Sequence, residues 1–207
     1  MKKIILYALA LVLLFSSVPS AGAATTVVVE EELEQGTSIV VRELTREEAM
    51  QRLMETQSIS RIEAMNVLGP IGVYGTGYQE AIITQDLGAG FKVEVGALLT
   101  TATGSGHSNF TEVITTWSAA AGSGAYTWTE YYDPIAEITG TTKNSVYLQV
   151  RGAIEVNVDI TLSGSATFMD LLDKAEFELS LALGSTYTYR KVKTISGTYT
   201  MSGYASS

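Results

Sequence analysis

The stretch from Val146 to Leu162 constrains this chain more than any other. Its even positions read Val146, Leu148, Val150, Gly152, Ile154, Val156, Val158, Ile160 and Leu162, apolar apart from the glycine. Its odd positions, Tyr147, Gln149, Arg151, Ala153, Glu155, Asn157, Asp159 and Thr161, are mostly polar. A period of two held this long predicts an extended strand with one dry face and one wet face. A helix would scatter the valines around its whole surface. Burying each large even side chain contributes roughly 1.5–3 kcal/mol before entropy, so this strand is the expected core of a sheet. Gly152, on the dry face, predicts a bend or bulge.

The regions on either side follow from changes of period. Thr45-Arg46-Glu47-Glu48 and Ser60-Arg61-Ile62-Glu63 are capping boxes, predicting two short helices over residues 45–69. The first buries Ala49, Met50, Leu53 and Met54, the second carries Ile62, Met65 and Leu68, and Gly69-Pro70 stops it. Between residues 24 and 44 the run Glu30-Glu31-Glu32-Leu33-Glu34 reads as a solvated acidic linker or pro-segment, with Ser38 to Val41 a short strand. From residue 70 to 207 the character is β, punctuated by glycine. Strands are expected over Tyr78–Leu87, Phe91–Thr103, Phe110–Ala119, Tyr126–Tyr132, Phe177–Leu183 and Thr186–Ile195, with a last one starting at Gly197. Arg190-Lys191 reads as a disturbance of register, and Phe168 to Asp173 as a helical turn or edge loop. The predicted fold is mainly β: an antiparallel sandwich or barrel of about 8–10 strands, preceded by a short helical hairpin.

Residues 1–23 read as a signal peptide: a basic start at Lys2-Lys3, an apolar run from Ile4 to Phe15, and small residues at Ala21-Gly22-Ala23. Its removal takes two lysines and no acid, moving the formal charge from -9 to -11 and leaving no stable membrane anchor. With no cysteine, an exported chain must be held by its core rather than by disulfides, and the composition points to a bacterial source. The acidic balance argues against nucleic acid as a partner, which needs a basic patch.

No residue pattern names an activity. His107 is the only histidine and lies in a Gly/Ser loop beside Ser105 and Ser108, without the elbow that presents a serine nucleophile. One histidine and no cysteine leave no basis for a zinc or copper site, and no cofactor is expected. Glu155, Asp159, Glu176 and Glu178 fall on strands, where they suit a glycosidase pair or a calcium site only at defined separations, and otherwise form an ordinary solvated face. The aromatics Tyr126, Trp128, Tyr131, Tyr132 and Tyr147 cluster in or beside strands and are the candidate binding face, for sugar stacking or a protein partner. The expectation is a secreted, non-catalytic β-protein acting through its surface, an extracellular structural or matrix component or an adhesin. Cell-wall or extracellular glycan and a second copy of the chain are the partners considered. A glycan-binding module is the alternative, and a membrane-active β-protein, pore-forming or barrel, a further one.

Overall fold

The structure, a computed structural model, describes residues 26–34, 36–69, 76–104, 107–123, 125–159, 161 and 165–201. The expected signal peptide over residues 1–23 lies outside them, as do Ile160 and Leu162 of the expected long strand. Among the described residues, ten strands and three helices follow in the order β1 (Thr26–Glu34), β2 (Thr37–Leu44), α1 (Arg46–Gln57), α2 (Arg61–Leu68), β3 (Thr76–Asp86), β4 (Lys92–Gly104), β5 (His107–Ala120), β6 (Thr127–Glu130), β7 (Ile135–Thr139), β8 (Ser145–Asp159), α3 (Ser165–Lys174), β9 (Glu178–Leu183) and β10 (Thr186–Thr200). They build two antiparallel five-stranded sheets, not a closed barrel. The first runs β1-β2-β3-β4-β5 and the second β6-β8-β10-β9, with β7 beside β6 on the same edge of β8.

β8 is the spine of the second sheet. Val146, Leu148, Val150, Ile154, Val156 and Val158 are all buried, as the period of two requires. They meet Ile39, Val41, Ile83, Val93, Val95 and Leu99 of the first sheet in one core. Gly152 marks no bulge against β10: β8 pairs with it in unbroken register from Thr186↔Asp159 to Thr200↔Ser145. The glycine is required because the Trp128 ring and the carbonyl of Thr129 occupy the space a side chain would fill, 2.6 and 2.4 Å from an added Cβ. Gly197 likewise begins no new strand. It sits within β10 under Ile83 and Leu33, where the two sheets approach closely.

The acidic segment departs from the sequence reading. β1 and β2 form a hairpin, and β2 pairs with β3 from Thr37↔Gln85 to Leu44↔Tyr78. With Ile39 and Val41 fully buried, this stretch is part of the sandwich rather than a loose linker. The glutamates Glu30, Glu31 and Glu32 are exposed on the edge strand, which is how an acidic run coexists with a strand.

Both capping boxes form. Glu48 N–H donates to Thr45 Oγ1 (3.3 Å) and Thr45 N–H to Glu48 Oε2 (2.7 Å), with the same exchange at Ser60 and Glu63. The helix pair is inserted between β2 and β3 and covers the outer face of the first sheet, where Ala49, Met50, Leu53 and Ala64 close over Leu98. α2 is turned differently from its expected orientation: Ala64 is its buried residue, while Ile62 and Met65 are exposed. No helix among the described residues is long and apolar enough to cross a membrane.

Two further differences concern short elements. The expected strand over Tyr126–Tyr132 is only four residues long, and the unexpected β7 follows after Asp133-Pro134, so β6 and β7 divide one edge of β8 between them. Phe168 to Asp173 belongs to the helix α3, whose Leu172 is fully buried. Near Arg190-Lys191, the β8–β10 pairing is continuous. The slip of register lies instead in β9, between its contacts with Thr188 and Tyr189.

Candidate interaction surface

The five aromatics of the candidate face do not form one platform. Tyr126 is a fastener: its hydroxyl accepts the N–H groups of Gly122 (2.6 Å) and Lys92 (3.2 Å) and donates to the Lys92 carbonyl. Its ring stands edge-on to Phe91 at 5.1 Å. Trp128 faces the core over Gly152, and its Nε1 donates to Ser118 Oγ (2.6 Å), which donates in turn to Glu130 (2.5 Å). Both residues are therefore committed to joining β6 and the segment before it to the rest of the sandwich.

Tyr147 lies on the wet face of β8, while Tyr131, in the bend after β6, donates its backbone N–H to the carbonyl of Arg151 of β8 (2.9 Å). Arg190 Nη2 donates to the Tyr131 hydroxyl (2.7 Å), its guanidinium stands 5.6 Å from the ring centre, and its Nε is 3.4 Å from Glu155. Tyr147 is half-buried between Glu137 of β7 and Thr198 of β10. Tyr132, in the bend after β6, is 73% exposed and is the one aromatic of the five standing free in water.

Three of the carboxylates singled out in the sequence, Glu155, Asp159 and Glu176, have local partners. Asp159 accepts the backbone N–H (2.9 Å) and hydroxyl (2.8 Å) of Thr161, and these bonds, the backbone one first, hold its carboxyl below the usual aspartate range. Glu176 lies 3.8 Å from Lys191, and Glu178 opposite Arg190. Among the described residues no group of three His, Asp or Glu side chains is placed to hold a metal ion. The side chain of His107, and Ser105 beside it, lie outside the described residues.

Sequence reasoning missed the acid with the most confined setting. Glu80 of β3 is 1% exposed beneath α1, where it is paired with Arg52. Arg52 also stands 5.4 Å over the Trp117 ring, which lies flat on Gly96 across the β4–β5 ladder. Nearby Glu94 is pushed above the ordinary glutamate value, chiefly by burial and then by the charge of Glu80, against the pull of Arg52 and Arg42. This cluster docks the helix pair on the sheet. It was illegible because Glu80 sits on an outward position that, without the inserted helices, would face water.

The other missed feature is β9. Its alternation of Leu179, Leu181 and Leu183 predicts a half-buried strand, yet every residue of β9 is exposed, the three leucines by 52%, 50% and 66%. Among the described residues β9 is the edge of the second sheet and pairs only with the Thr186–Arg190 part of β10. At the other edge, β5 of the first sheet meets β6 and β7, and Thr116 Oγ1 bonds the Pro134 carbonyl (2.9 Å), so the sandwich is drawn together there. Val192 of β10, 46% exposed, adds to the apolar surface beside β9. A cavity of about 560 Å³ lies where β9 ends beside β10, lined in part by Leu179, Arg190, Lys191, Val192 and Lys193. Lys191 secures its floor by donating to the Ala175 carbonyl (2.5 Å) with its Nζ 5.7 Å from the Phe177 ring centre.

Compared with known protein families, with curated proteins and with solved structures, the chain matches none.

Proposed function

We propose that this chain is an exported, non-catalytic β-protein that acts through its surface, as an extracellular structural or matrix component or an adhesin. The observation that carries the reading is β9: three leucines on an edge strand, with Val192 of β10 beside it, left in water. Large apolar side chains left exposed at an unpaired strand edge favour association unless the edge is blunted. The ion pairs that hold Glu155, Glu176 and Glu80 fit this reading, since each gives a carboxylate a structural partner.

The test is cosedimentation of the purified protein with isolated cell walls and with insoluble extracellular matrix. Retention in the pellet supports the reading, and a protein that stays wholly in the supernatant overturns it. The glycan-binding alternative draws its support from exposed Tyr132 and neighbouring Tyr131 rather than from Trp128. In that case binding on a glycan array is lost in Tyr132→Ala.

A further inference from the structure

We propose that the cavity between the open edge of the sandwich and the end of α3 binds a small polyvalent oxyanion, one that carries its charge on phosphate or carboxylate oxygens. The inference goes beyond the surface-acting reading and does not depend on it. The alternation of β10 carries it. Its odd positions face the first sheet, and Tyr189, Ile195 and Tyr199 among them are buried in the shared core. Lys191 and Lys193 take two positions on that same side, about 6.6 Å apart at Cα, and both are half-buried. An apolar side chain there would add to the core, whereas a cation costs desolvation. Function is expected where a sequence breaks its local rule in this way.

The cavity, about 720 Å³, takes its walls from both sheets and from the helix. Gly36 ahead of β2, Asp86 at the end of β3, and Lys174 and Glu176 around the end of α3 line it together with Lys191 and Lys193. The smaller cavity beside β9 shares Lys191 and Lys193 with it. The charges of this lining do not cancel. Asp86 is answered by Lys92 (3.6 Å) and by the N–H of Gly88 (2.9 Å), and Glu176 by Lys191 (3.8 Å). Among the described residues Lys174 and Lys193 make no ion pair. Two ammonium groups on flexible stems are therefore left over at one concavity, and an oxyanion with two or more negative charges matches that surplus. A polyanion does not, because a chain of formal charge -9 repels it. A small ion held within a Debye length of the lysines, about 8 Å at physiological salt, is governed by them instead.

Isothermal titration of the full chain at low ionic strength tests the site, with inorganic pyrophosphate as the phosphate arm and citrate as the carboxylate arm. The expected result is saturable binding of one or both, weakened by added sodium chloride, and the arm that binds names the oxyanion. K174Q/K193Q weakens it by roughly 10-fold or more, since two charge-assisted hydrogen bonds are lost. K143Q, in the turn before β8 and nearer Thr200 than Lys193, leaves it unchanged. Neither Lys174 nor Lys193 is fully buried, so the double variant keeps the parent's urea midpoint. K193E, which reverses the charge at the wall, abolishes binding. Binding of neither anion, or binding that K174Q/K193Q and K193E leave intact, overturns the site. So does self-association of the double variant when the parent binds no anion: the inward lysines then only guard the strand edge that β9 leaves open beyond Arg190.

Discussion

Replacing Gly152 by alanine places a methyl group 2.4 Å from the Thr129 carbonyl oxygen and 2.6 Å from the Trp128 ring. Neither neighbour yields freely. Thr129 is held by the β6–β8 ladder, in which it pairs with Ala153, and Trp128 by its bond to Ser118. Forcing one carbon into a packed site costs about 1–3 kcal/mol. Loss of the indole hydrogen bond adds about 1 kcal/mol. The expected destabilisation is about 2–4 kcal/mol, a fall in Tm of roughly 4–16 °C for a domain of this size. Urea unfolding followed by tryptophan fluorescence measures it. Trp128→Ala in the same background separates the two contacts: with the ring gone, the alanine costs less but still strains against Thr129, giving a coupling of about 1 kcal/mol or more. Gly104→Ala is the control, because nothing lies within 4 Å of an added Cβ there, and it stays within about 0.5 kcal/mol of the parent. A Gly152→Ala protein as stable as the control refutes the packing described for this strand.

Two further outcomes concern the helix pair. Arg52→Ala leaves the Glu80 carboxylate buried without its partner and destabilises by about 3 kcal/mol, the lower end for a broken buried pair, because Arg42 lies opposite Glu80 on β2. Limited proteolysis within residues 46–68 of this variant, faster than in the parent, checks that the loss is felt at the docked helices. Glu94 titrates above the ordinary value of about 4.5, so the folded state holds its proton more tightly than the unfolded chain does. Its contribution is greatest below the unfolded value and is lost as pH rises through the folded one. Glu94→Gln is therefore more stable than the parent near neutral pH, and the advantage shrinks to nothing as pH falls towards 4.5, read from denaturant midpoints across that range.

The period of two was the most readable part of this chain because it encodes burial directly. The even residues of β8 are in the core where the alternation puts them, and the Thr45 and Ser60 caps start helices where the boxes stand. Alternation states only that a strand has an apolar side. It does not state whether anything covers that side, which is why β9 reads like β8 and yet lies open. The glycines misled for a related reason. At Gly152 and Gly197 the missing side chain accommodates Trp128 and Ile83, a long-range fit that local sequence does not contain. The candidate aromatic face failed as a unit on the same ground: Tyr126 and Trp128 are spent on distant hydrogen bonds, to Lys92 and Ser118, that no spacing along the chain reveals.

The contrast between β8 as buried spine and β9 as open apolar edge is tested most directly by hydrogen exchange, read peptide by peptide at two protein concentrations. The amides of Ser145–Asp159 are predicted to exchange slowest at both concentrations and those of Glu178–Leu183 much faster. Slow exchange in Glu178–Leu183 at both concentrations, equal to that of the spine, contradicts it.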